Sequence, residues 1–190
     1  TCSLIMAIVR DNILCNNITF IDGFSGSGKS LIAPFISSLP GAELWKLNHL
    51  YEYIIILLDL NKISLDAASA LLKIYADMDL YNLSISRDVN FRKNDDSSPF
   101  YNLQDKKYIK RLDHKGGDET ALKILKNTPS LLIMTHFIAN KAPLIDQIFH
   151  DRNWKLIVIL RHPATVIKNW HESGFFERHN KKLLLIFIFI

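Results

Sequence analysis

The chain has 190 residues, 48% of them hydrophobic and 22% charged, with a formal net charge of +4 and a pI near 9.0. This suits one domain with a sizeable core and argues against a disordered class. The charge is too mild, and too little clustered with aromatics, to argue for nucleic acid. The two cysteines, Cys2 and Cys15, sit in no CxxC or Cys/His cluster, so no metal site and no disulfide scaffold is expected, and a reducing, cytoplasmic setting is the default. No stretch reaches the roughly 20 apolar residues of a membrane span. Leu4 to Val9 is too short for a signal core.

Asn17 to Asp22 reads as a short buried strand, followed at once by a glycine-rich turn. Ser30 to Leu39 reads as a helix, with Leu31, Ile32, Phe35, Ile36 and Leu39 at helical spacing and Pro34 within its first turns. Pro40-Gly41 ends it. A second helix is expected from about Leu50 to Leu60. A third runs from Leu65 to Met78, with Ser64 as N-cap and Asp66 in the first turn. Arg87 to Gly117 is polar, carries Pro99 and Gly116-Gly117, and reads as an insertion or lid with a short helix near Gln104 to Leu112. A solvated surface excursion is the competing reading. Strands then follow at Ser130 to Thr135 and Lys155 to Leu160, each before a helix, Lys141 to His150 and Pro163 to Glu172. Strands alternating with helices predict an α/β chain with a central, mostly parallel sheet and helices on both faces. The chain starts at Thr1 and ends on the apolar run Leu183 to Ile190, so a fragment truncated at its C-terminal end is the expectation.

The turn Gly23-Phe24-Ser25-Gly26-Ser27-Gly28-Lys29-Ser30 matches G-x4-G-K-[ST], the Walker A pattern, in full. Its glycines accept φ > 0, so backbone N–H groups can curl around an anion. The next helix aims its positive end at the same place. Lys29 adds a full charge, and Ser30 can hold phosphate or Mg²⁺. A strand before and a helix after supply the context of a three-layer P-loop fold.

Two apolar strands end in further candidates, Thr135-His136 and Arg161-His162-Pro163. In a doubly wound sheet, strand C-termini face the ligand crevice, which puts His136 and Arg161 on the rim of the loop. With these residues the chain resembles the sulfotransferase family from about Asn17 to Trp170. That family transfers sulfuryl from 3′-phosphoadenosine-5′-phosphosulfate. The resemblance implies that His136 is the general base, that the loop with Lys29 holds the 5′-phosphosulfate, and that Arg161 binds the 3′-phosphate. Asn169 falls where the family has a serine on that phosphate. The lysine differs in place, since the family sets its catalytic lysine near Gly26, and the family's later glycine-rich basic segment is missing.

A sulfotransferase-like transfer to a hydroxyl or amine of a small-molecule or glycan acceptor is thus the leading expectation, with no metal required. Mg-ATP-dependent small-molecule phosphorylation is the alternative. It is favoured by Lys29-Ser30 and by Asp22, and disfavoured because no acid closes the later strands. Arg87, Arg92 and Lys93 would serve as lid cations in either case. A non-catalytic nucleotide-binding protein is the third reading. Against the site roles stand blander ones: a core histidine bonded to backbone for His136, and a surface ion pair for Arg161. His162, His171 and His179 read as surface residues, and Trp154 and Trp170 as packing aromatics.

Overall fold

A computed structural model describes residues 13–175; positions 4–9, Cys2, His179 and the apolar run at 183–190 lie outside them. The strands are β1 (Asn17–Asp22), β2 (Lys46–Leu47), β3 (Ser130–Met134) and β4 (Asn153–Val158). They form one four-stranded sheet in the order β2-β3-β1-β4, and every pairing is parallel. The helices are α1 (Lys29–Ser37), α2 (His49–Asp59), α3 (Leu65–Ser84), α4 (Asp105–Lys110), α5 (Asp118–Asn127), α6 (Ala142–Phe149) and α7 (Pro163–Glu172). None is long and apolar enough to cross a membrane.

Central strand β1 explains the shape. Ile18, Thr19, Phe20, Ile21 and Asp22 are all buried. Successive strand residues point to opposite faces, so both faces of β1 are covered. Phe20 meets Tyr51 of α2 edge-on at 6.0 Å and Phe149 of α6 at 5.8 Å. Ala68, Leu72, Ala76 and Leu80 line one stripe of α3 and join the same core. The register sets Ile21 beside Met134 and Asp22 beside Val158. All four parallel strands therefore release the chain on one rim, where the glycine-rich loop, the start of α2 and the segments after β3 and β4 meet.

Several elements differ from the expectation. The apolar stripe of α1 ordinarily would face a core, yet Leu31, Phe35 and Leu39 are largely exposed, while Lys29, Ala33 and Ser37 are buried. α3 does not stop at Met78 but runs to Ser84, where Leu80 and Leu83 extend its buried stripe. Arg152 meets Asp77 at 2.9 Å and Lys46 meets Asp79 at 2.8 Å. α5 and the two-residue β2 were not expected. Within 87–117, α4 anchors at the sheet end remote from the glycine-rich loop. Gln104 donates to the Ser37 carbonyl at 2.9 Å and Lys107 to the Ala42 carbonyl at 3.0 Å. Arg92 pairs with Asp95, while Lys93 lies over Phe100 and Arg87 over Tyr81.

Candidate functional site

The loop joining β1 to α1 holds Gly23, Gly26 and Gly28 at φ of 145°, 79° and 105°, a region that side chains rarely adopt. Gly23 is also sterically required, since a Cβ there would run into the Ile159 carbonyl oxygen. Gly28 is the N-cap of α1 and no side chain caps the helix. Its first-turn N–H groups are left without side-chain partners at the positive end of the helix dipole. The Ser27 hydroxyl is buried and has no hydrogen-bond partner among the described residues. Ser25 and Ser30 are half-buried in the same turn.

Lys29 turns inward. Its ammonium donates to the carbonyls of Gly23 and, at 3.1 Å, Phe24. Burial pulls its pKa down to about 8, against the opposing pull of the Asp22 and Glu52 carboxylates. A buried cation whose hydrogen bonds go only to carbonyls, with no carboxylate in contact, is incompletely compensated, and an incoming anion would relieve it. Both oxygens of Asp22 accept hydrogen bonds: from Thr135 Oγ1 at 2.8 Å and from the Ala139 N–H at 2.9 Å.

On the same rim, Arg161 donates through Nη1 to the Gly26 carbonyl at 3.1 Å. Its exposed guanidinium keeps further donors for a ligand. Trp170 of α7 bonds the Ser25 carbonyl at 2.7 Å and packs edge-on to Phe24 at 6.4 Å. This fits its reading as a packing aromatic and lays α7 along the loop. Asn169 is half-buried beside it. His162 caps α7, accepting at Nδ1 from the Ala164 N–H at 3.3 Å.

His136 follows buried Thr135 at the end of β3, and Glu52 of α2 reaches it. The His136 backbone N–H donates to Glu52 Oε1, and its Nδ1 lies 3.1 Å from the same oxygen. The other oxygen, Oε2, is 3.1 Å from His49 Nδ1. The two imidazoles stack at 5.5 Å and 19°. Burial pushes the Glu52 carboxyl up, but the hydrogen bonds and charge of His136, and then the hydrogen bond of His49, outweigh it and hold it below the usual carboxylate range. An ionised Glu52 makes each Nδ1 the donor, which in the neutral ring leaves Nε2 of His136 as the acceptor nitrogen.

Among the expected residues, the fold thus brings the loop, Lys29, His136 and Arg161 to one rim. It adds Glu52 and His49, which the sequence reading had not singled out. A His-x-x-Glu spacing on one helix face was the available signal. It was hidden because α2 was expected to begin at Leu50, one residue after His49. No protein-family model matches the chain, and neither a curated protein nor a solved structure matches it at a significant level.

Proposed function

We propose that the chain is a sulfotransferase-like enzyme of the three-layer P-loop type. It takes a sulfuryl group from 3′-phosphoadenosine-5′-phosphosulfate to a hydroxyl or amine on a small-molecule or glycan acceptor, and works in the cytoplasm. The observation that carries this reading is the placement of His136. Its Nδ1 is held by buried Glu52, within the electrostatic reach of Lys29 and on the rim of the glycine-rich loop. Nε2 of His136 takes the acceptor's proton as the acceptor oxygen or nitrogen bonds to sulfur. The bond between sulfur and the bridging phosphate oxygen breaks, and its electron pair stays on the departing 5′-phosphate. Lys29, the Ser27 hydroxyl and the N–H groups of Gly26, Gly28 and Ser30 stabilise that charge. Arg161 offers its remaining donors to the 3′-phosphate, with Asn169 further along α7.

Mg-ATP-dependent phosphorylation is the second reading, favoured by the Lys29-Ser30 order and by the arrival of acidic Glu52 on the rim. Against it, both oxygens of Asp22 already accept hydrogen bonds, from Thr135 and from the Ala139 N–H. The test is calorimetric titration with 3′-phosphoadenosine-5′-phosphate and with ADP, each with and without EDTA, on wild type and Arg161→Ala. Preference for the 3′-phosphate, indifference to EDTA and loss of that preference in Arg161→Ala are expected. Equal ADP affinity or loss of binding in EDTA replaces this reading with the kinase. Binding without transfer of sulfuryl to any acceptor leaves a non-catalytic nucleotide-binding protein.

A further inference from the structure

We propose that His49, Glu52 and His136 form a site for one divalent transition-metal ion of the Zn²⁺ class. His49 and Glu52 lie one turn apart on the same face of α2, and His136 reaches them from the end of β3. One ligand atom from each residue lies within 4.8 Å of the others. Each imidazole Nδ1 is 3.1 Å from a different oxygen of the one carboxylate. Zinc bonds of about 2.0–2.1 Å imply ligand–ligand edges of roughly 3.3 Å in a tetrahedron, close to the distance each imidazole already keeps from its own carboxylate oxygen. Two neutral imidazoles and a carboxylate suit zinc or its neighbours, whereas Mg²⁺ and Ca²⁺ favour all-oxygen sets. The side chain of Glu52 is 1% exposed and that of His49 48% exposed. A metal there is held from within by the carboxylate and keeps an outward position for water or an anion.

The site goes beyond sulfuryl transfer and shares His136 and its partner Glu52 with it. On the sulfotransferase reading the two uses exclude each other. A metal on Nδ1 displaces the proton between His136 and Glu52, and Nε2 then carries the ring's hydrogen and cannot accept another. Bound Zn²⁺ therefore silences the base.

The test is titration of the metal-free full chain with Co²⁺, followed by its visible d–d absorption. The expected result is a saturating one-to-one band that Zn²⁺ abolishes and Mg²⁺ does not. His49→Ala, at a half-exposed position, keeps the wild-type circular dichroism and weakens Co²⁺ binding at least about tenfold, the loss that even an outer-sphere partner typically causes. Glu52→Gln weakens it likewise. No band in the wild type, or equal binding in His49→Ala, overturns the site. Nucleotide titration of the metal-free protein is read separately. Co²⁺ binding at these residues without nucleotide binding keeps the metal site and removes the sulfotransferase reading; the converse removes the metal site alone.

Discussion

At the N-terminal end of the sheet, Glu43 and Asp77 are closed into ion pairs with arginines; beside the glycine-rich loop, Lys29 and Glu52 have no such partner. Glu43, beside the start of β3, receives Arg111 through two nitrogens at 2.7 and 3.0 Å and the Tyr108 hydroxyl at 2.5 Å. Burial pushes the Glu43 carboxyl up, but Arg111 and Lys107 hold it below the usual range. Burial likewise drives the Tyr108 hydroxyl well above its ordinary value, so it stays a donor. Arg152 meets Asp77 with both side chains only 2% exposed. On the opposite rim, Lys29 has carbonyl oxygens for partners and Glu52 has two imidazoles. Charges satisfied by fixed opposite charges hold a fold together. Charges held by weaker dipoles keep the capacity to exchange partners for a ligand.

The largest effect is expected at the most deeply buried ion pair. Arg152→Ala leaves Asp77 buried without its guanidinium and should cost about 3–5 kcal/mol in chemical denaturation, a large share of a domain's stability. Nucleotide affinity of the remaining folded protein should not change. A loss under 1 kcal/mol would blur the contrast between the two ends.

On the loop rim the pattern reverses. Lys29→Ala removes a desolvated cation, so the fold should persist, while nucleotide binding weakens by on the order of 1.5–3 kcal/mol. Unchanged affinity with a folded variant would contradict the role given to Lys29.

The lowered pKa of Lys29 sharpens this further. Its native value of about 8 lies below the ordinary lysine value of 10.5. Between those values the unfolded chain binds more protons, so this group's contribution to stability rises with pH. Anion affinity runs the other way. It is full below about 8 and falls as Lys29 loses its proton, and Lys29→Arg should flatten that pH profile.

The smallest effect is expected at Phe35. It belongs to the apolar stripe of α1 but is 72% exposed. Phe35→Ser should change stability by less than about 0.5 kcal/mol, as ordinary surface substitutions do. Phe20→Ala, in the centre of the sheet, should cost about 3–5 kcal/mol.

This last pair marks where the sequence was legible. β1 and α7 have the bounds expected from an apolar run before glycines and from a proline-led start. Ser64 caps α3 as expected, accepting from the Ala67 N–H at 3.2 Å. The buried face of α1 was not legible, because the helix seats small Ala33 and Ser37 inward and leaves its large apolar residues outside. Periodicity finds a helix without saying which stripe is buried. The length of α3 was hidden for a different reason. Asp79, just past the expected end, reads as polar until Lys46, 33 residues away in sequence, comes to meet it. At the site, the loop, His136 and Arg161 were legible as strand-end residues. Glu52 and His49 were not, since their link to His136 spans 84 residues for Glu52 and exists only in the folded chain.

The central claim is that the loop rim is an anion site read by Lys29 and Arg161. Amide chemical shifts of the ¹⁵N-labelled protein, followed during titration with 3′-phosphoadenosine-5′-phosphate, test it most directly. Saturable shifts are expected in Gly26, Gly28, Lys29 and Ser30 and in the Arg161 side chain, with the Tyr108 and Arg111 amides unmoved. Titration to millimolar nucleotide with no movement in that loop would contradict it.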